Sequence, residues 1–168
     1  IRIDTEITPF GDLPDLPRIG FEWTTPAGFE RFSWYGRGPL DSYCDRKRGV
    51  KIGLYSGSVD EQFVHYPVPQ ENGSKTDVRW MMLTNGQGCG VRVAGAQPLE
   101  VSVKHYTNEN LDDAKHPYEL NRIAGTVVNV DGRQGPLGNA SCGPGPEEPY
   151  RLKPEPAAFS FCIQAVRQ

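Results

Sequence analysis

The sequence predicts an all-β fold, and three observations carry that prediction. Helical periodicity is almost absent from the 168 residues. Apolar and polar residues instead alternate with period two in short runs. Clusters of Gly, Pro, Asn and Asp separate those runs, drawing on 19 glycines and 15 prolines. This is the pattern of a sandwich or barrel of short strands.

In chain order, "IRIDTEI" sets Ile1 and Ile3 against Arg2 and Asp4, so a strand is expected at the outset. In "FERFSWYG", Phe32 and Trp34 point one way while Arg31, Ser33 and Tyr35 point the other. "VRWMMLTN", "GQG" and "CGVRVAG" read as a hairpin in which Asn85-Gly86 supplies the positive φ angles of a tight turn. "LEVSVKHY" places Leu99, Val101, Val103 and His105 on one face and Glu100, Ser102, Lys104 and Tyr106 on the other. One helical turn is expected in "TNENLDDAKH", capped by Thr107 or Asn108, with acidic residues suited to a helix N-terminus. "TVVNVDG" and "AAFSFCIQAV" are further strands, the second with Phe159, Phe161 and Ile163 on one face. Residues 143–156 are Pro-rich but lead into a strand, so an ordered loop is expected there. A chain of this length suits one core, and a single β domain over residues 1–168 is expected.

The formal net charge is −3, with basic residues scattered, so no electrostatic footprint for nucleic acid is present. The longest apolar runs are too short for a membrane-spanning helix. Neither nucleic acid nor membrane is therefore expected as a partner. The chain opens inside a strand without a signal-peptide pattern, which suggests a fragment of something longer. Cys44, Cys89, Cys142 and Cys162 are widely spaced, with no CxxC and no zinc-type spacing. Free thiols in a reducing, cytoplasmic compartment are expected.

Candidate chemistry is sparse. His65, His105 and His116 have no GxSxG motif beside them, so no nucleophile–base pair can be argued. Glu71 and Asp45 lie among aromatic or Arg residues, yet a salt bridge or a turn is the expected role of each. The region from Phe29 to Arg48 is richer. Trp34, Tyr35 and Tyr43 offer flat faces, and Arg37, Asp45 and Arg46 offer directional hydrogen bonds. Sugar sites combine such elements, as do a core Trp and surface arginines. The sugar-facing candidates are Trp34, Tyr35, Arg46 and His105.

Read as motifs, "LPRIG", "WYGRGPLDSYCDR", "PQENGSKTDVRW", "LDDAKHPYEL" and "VNVDGRQGPLGNASCGP" occur in an order that resembles the C-terminal domain of the large glycoside hydrolase family 2 β-galactosidases. The resemblance runs from about Leu16 nearly to the chain's end. It implies a large antiparallel β-sandwich, a supersandwich of the galactose mutarotase type. It also implies retaining hydrolysis of terminal β-galactosides by two glutamates in a TIM barrel outside this chain. No catalytic role and no metal ligand falls on this chain; the family's divalent metal (Mg) and Na are held elsewhere in the parent. The implied partners are the rest of the polypeptide and a galactoside, and a homo-oligomeric parent is compatible with the resemblance. One role reaches this domain. A loop carrying an "SW" pair walls the substrate mouth in well-studied members, and the surrounding pattern places Ser141 on that Ser and Cys142 on that Trp. The implied substrate-binding residues are Asn139, Ser141 and Cys142. A free-standing carbohydrate-binding module and a mutarotase-like domain using His105 are the rival expectations.

Overall fold

The computed structural model describes residues 1–138 and 143–167. Its strands are β1 (Arg2–Ile7), β2 (Arg18–Thr25), β3 (Phe29–Gly38), β4 (Lys51–Ser58), β5 (Lys75–Asn85), β6 (Cys89–Lys104), β7 (Thr126–Gln134) and β8 (Ala157–Arg167). All pair antiparallel in one connected sheet, so the fold is all-β. A helix, α1 (Asn108–Asp113), follows β6. Thr107 caps it, its Oγ1 accepting the Asn110 N–H at 3.1 Å.

The alternation read in β3 is realised. Phe32 and Trp34 are each 1% exposed and stack at 4.8 Å, while Tyr35 on the opposite face is 39% exposed. The β5–β6 hairpin also forms, but its turn differs from expectation. Asn85 O accepts the Gly88 N–H at 3.0 Å, and Asn85 Oδ1 accepts the N–H groups of Gln87 and Cys89. The positive φ lies at Gly88 (74°) instead of at Asn85-Gly86. A three-residue connection closes this way, with one left-handed residue following an ordinary turn.

The strand β6 organises the sheet. One edge pairs with β5. On the other edge, Cys89–Gly95 pairs with β8, and Glu100–Lys104 pairs with β7. The change of partner falls across Ala96–Pro98, where Pro98 has no N–H to offer a ladder. The backbone is tight there, since a Cβ on Gly95 would lie 2.2 Å from Gln97 O. The sheet thus divides into two leaves, β8–β1 and β7–β2. Their apolar faces meet where Phe21 of β2 packs edge-on against Phe161 of β8 at 5.6 Å. Phe161 joins Ile19, Met81, Leu83, Val93, Leu99, Val101, Val128 and Val130 in the buried core, and Phe21 stays 38% exposed at its edge.

Close approach at β2 demands glycine. A Cβ on Gly20 would lie 2.0 Å from Asp131 Oδ1 and 2.6 Å from Val130 O, at the point where the β2–β7 register shifts. Gly20→Ala is expected to lower stability by about 1–3 kcal/mol, the usual cost of overpacking. Gly86→Ala, with nothing within 4 Å of the added methyl, is expected to be near neutral. Chemical denaturation of both variants is the test, and equal stabilities would contradict the packing described.

Candidate functional site

The segment after β3 is tied down at several points. Ser42 N–H donates to Ser74 O at 2.7 Å, and its hydroxyl meets Thr76 Oγ1 at 2.9 Å. Tyr43 and Arg46 exchange backbone bonds at 3.2 and 2.9 Å, leaving Cys44 and Asp45 at the tip of a tight turn. From that tip the Asp45 carboxylate accepts two consecutive amides, Leu137 N–H at 3.1 Å and Gly138 N–H at 2.9 Å. The stretch leaving β7 is fixed again at Gly135, whose N–H donates to Pro17 O at 2.8 Å. Gly138 adopts φ +79°, and a Cβ there would lie 3.2 Å from Pro146 Cγ. Pro146 thus packs beside Gly138.

A cavity of about 430 Å³ opens between these segments and α1. Its polar lining includes Arg18, Tyr43, Glu71, Asn108 and Gln134, and its apolar lining includes Leu16, Pro17, Leu111, Leu137 and Leu152. Glu71 Oε2 accepts from Arg18 at 2.7 Å and from Lys104 Nζ at 3.0 Å, while its buried Oε1 has no partner. Tyr43 is 1% exposed, and its hydroxyl also lacks a partner. Burial, with Glu71 and Asp41 nearby, raises the Tyr43 phenol far above its ordinary value, so it stays protonated.

Behind the cavity lies a buried polar layer formed by β6, β7 and β2. Lys104 is enclosed, reaching Glu71 and also Asn108 Oδ1 at 3.3 Å. Arg18 bonds Asn129 and approaches Asp131 Oδ2 at 3.9 Å. Glu100 lies directly opposite Asp131 across β6 and β7, and each has one buried carboxylate oxygen without a partner. Burial, reinforced by Asp131, pushes Glu100 up to about 7. Burial likewise pushes Asp131 up to about 7, against the pull of Arg18.

The residues expected to face a sugar are not brought together. Trp34 is interior, its Nε1–H donating to Arg37 O at 2.8 Å and Lys75 Nζ lying 4.9 Å over its ring. Tyr35 lies on the opposite face of β3, with Arg79 over its ring at 5.7 Å. Arg46 is half-exposed, bonded to Asp41 Oδ1 at 2.7 Å and Tyr66 Oη at 3.1 Å. His105 is 2% exposed, with Nδ1 2.8 Å from Gly125 O and Nε2 2.8 Å from Glu30 Oε2. Both rings are closed off by protein: neither Trp34 nor His105 presents a face to a ligand in this chain. Asn139, Ser141 and Cys142 lie outside the described residues. Of the carboxylates weighed in the sequence, Glu71 forms ion pairs, and Asp45 clamps a distant backbone. The sequence offers Tyr43 as a flat face; its burial is a property of the packing alone.

The chain matches the family described as beta galactosidase small chain over residues 1–163. It is 40% identical over 134 residues to a beta-galactosidase of Priestia megaterium, a match covering 80% of this chain and 13% of that protein. It is 36% identical over 157 residues to a beta-galactosidase of Halalkalibacterium halodurans, covering 92% of this chain and 16% of that protein. The beta-galactosidase of Kluyveromyces lactis is 32% identical over 163 residues, covering 96% of this chain and 16% of that protein. The chain thus spans well under one fifth of the length of these relatives.

Two outcomes follow from the geometry. Asp45→Ala removes both acceptors, so amide hydrogen exchange at Leu137 and Gly138 is expected to quicken severalfold while the core amides of β5 and β6 stay protected. Unchanged exchange at both positions would contradict the clamp. The raised carboxylates set the second. Folded Glu100 and Asp131 hold protons up to about pH 7, whereas the unfolded chain releases them near the ordinary values of 4.5 and 3.8. The folded state binds more protons across that window, so their contribution to stability is full below it and is lost as pH rises toward 7. Denaturant titrations at pH 5 and pH 8 are expected to show this loss, and Glu100→Gln or Asp131→Asn to reduce it. An equal pH dependence in both variants and the parent chain would contradict the assignment.

Proposed function

The chain belongs to the β-galactosidase small-chain family, and from that premise we propose that it is the C-terminal domain of a retaining glycoside hydrolase family 2 β-galactosidase. The observation that carries the proposal is the family match over residues 1–163, in a chain that spans only 13–16% of the three β-galactosidases described above. On this proposal, catalysis belongs to the remainder of the parent. A retaining glycosidase needs two carboxyl groups across the scissile bond, one to form the glycosyl-enzyme and one to act as acid and then base. Both are assigned to a TIM barrel outside this chain, as are the parent's divalent metal and sodium. The isolated chain is expected to hydrolyse nothing. Its free Cys44, Cys89 and Cys162 support a reducing compartment for the parent.

The domain's task is then to pack on the barrel and to supply the segment with Asn139, Ser141 and Cys142 to the mouth of the substrate pocket. The Asp45 clamp on Leu137 and Gly138 supports this role, because a wall must be held where the substrate meets it. Cys142 stands where the resemblance implies an indole. A buried indole contributes about 150–250 Å² of contact, and a thiol contributes far less. Stacking on the aglycone is correspondingly weak in this variant.

The test uses the intact parent enzyme. Cys142→Trp and Cys142→Ala are expected to change KM for an aryl galactoside, or the ratio of transglycosylation to hydrolysis, by severalfold. Their thermal unfolding is expected to match the parent's. Unchanged kinetics in both variants would remove the segment from the substrate pocket.

A further inference from the structure

We propose that the open face of the sheet around Tyr35 and Trp80 is the surface by which this domain docks on another part of the parent polypeptide, and that the docked part presents an apolar patch bordered by carboxylates. The proposal deepens the packing role given above and rests on that reading, since it names the face and the chemistry of what covers it.

The register places one row of side chains across five strands. Leu54 of β4 stands opposite Tyr35 of β3, Tyr35 opposite Trp80 of β5, Trp80 opposite Ala94 of β6, and Ala94 opposite Cys162 of β8. At about 4.8 Å per strand, the row spans about 19 Å. Partners in register share a face, and this one is turned away from the core that Phe32 and Trp34 enter. Leu54 is 71% exposed, with Ile52 at 42% and Tyr35 at 39%. Among the described residues β4 pairs with β3 alone, so it is an edge of the sheet. An edge that carries exposed Leu and Ile is one that proteins cover, and a contiguous apolar face marks an interaction site.

The cations on this face define what the partner must offer. Arg79 lies over the Tyr35 ring at 5.7 Å and Arg92 over the Trp80 ring at 5.5 Å. Their hydrogen bonds go to neutral acceptors, Asp77 O and Gln164 Oε1. Arg31, on the same face of β3, is exposed. Among the described residues none of these three pairs with a carboxylate. The acids that border the face are committed elsewhere, Asp4 to Arg2 and Asp77 to Arg37 and Lys47. Glu6 lies beyond Asp4 on β1, at the far edge of the sheet. Trp, Tyr and Arg set side by side are the residues that dominate binding at protein interfaces. Two copies joined through this face about a twofold axis would set the same cations against one another, which disfavours a second copy as the occupant. More than four fifths of each relative described above lies outside the region matched, so a single polypeptide has ample surface to supply the complement.

The test is maleimide labelling of Leu54→Cys in the intact parent enzyme, read by peptide mass spectrometry. The introduced thiol is expected to react at least about tenfold more slowly in the native enzyme than in the unfolded one. Arg79→Glu together with Arg92→Glu is expected to remove most of that protection, whereas Arg79→Lys with Arg92→Lys keeps it. Should Leu54→Cys fail to fold, hydroxyl-radical footprinting of Leu54 and Tyr35 in the unsubstituted enzyme makes the same comparison. Reaction of the native enzyme at the unfolded rate would overturn the proposal. Protection lost on dilution to monomers, followed by sedimentation, would overturn it in favour of a second copy. Protection that charge reversal leaves intact would overturn the acidic chemistry assigned to the partner. The Cys142 kinetics test the underlying reading separately: if they change while the introduced thiol stays open, the domain assignment stands and only this face is free.

Discussion

The half of β6 from Glu100 to Lys104 pairs with β7 along one edge, while Val101 faces Lys75 of β5 on the other. It is also covered on both faces: Val101 and Val103 are enclosed on one side, Ser102 and Lys104 on the other. The side chains from Val101 to Lys104 are all enclosed, so each must find a partner that suits it. The apolar face joins the core. The polar face must be answered with charge and hydrogen bonds, and the elements around it are placed to supply them. Lys104 brings in Glu71 from the loop before β5 and Asn108 from the first turn of α1. Asn129 and Arg18 extend the same network across β7 and β2.

The layer contains more acids than cations. Arg18 and Lys104 pair with Glu71, Arg18 also approaches Asp131, and burial holds protons on Asp131 and on Glu100 beside it. A layer of this kind adds little net stability over an apolar one, but losing one member leaves a buried charge uncompensated. Its value lies in register. Slipping β7 by one residue against β6 would put Asp131 on the core face with Val101 and Val103. Gly20 belongs to the same constraint, since only a missing Cβ lets β2 approach the Asp131 carboxylate.

Period-two patterning was legible wherever one face was wet or apolar. Phe32 and Trp34 against Tyr35, and the pairing of the two arms of the β5–β6 hairpin around its turn, could be read from residue types, though the turn geometry could not. β7 is different: Thr126 through Asp131 are buried on both faces, so alternation there marks two kinds of interior instead of inside and outside. The continuity of β6 through Pro98 was hidden for a related reason. Proline argues against a central strand, and the strand passes it only because the neighbouring ladder changes partner there. At the site, residue type shows the chemistry a side chain could offer but not its burial. Trp34 and His105 have the chemistry of sugar contacts, but burial and complete hydrogen bonding occupy them within the fold. Which side chains burial closes off is set by the tertiary packing, and no spacing encodes that.

Glu71 and Tyr43 connect the three parts of this end of the molecule. Glu71 lines the cavity while its Oε2 is held by Lys104 and Arg18 of the buried layer, so the layer fixes that part of the wall. Tyr43 faces the same cavity and begins the turn from which Asp45 holds Leu137 and Gly138. The cavity wall and the anchor before residue 139 are therefore set by a single buried aromatic and a four-residue turn. Burial pushes the Cys44 thiol at that turn up to about 11, and its Sγ lies 3.7 Å from Tyr150 O. The motif from Trp34 to Arg46 thus acts by placement. Trp34 seals the core, Arg37 ties β3 to Asp77 of β5, and Tyr43 with Asp45 carries that rigidity out to the segment that follows β7. A change within the motif need not touch a ligand to alter the site, because the side chains around the cavity take their positions from it.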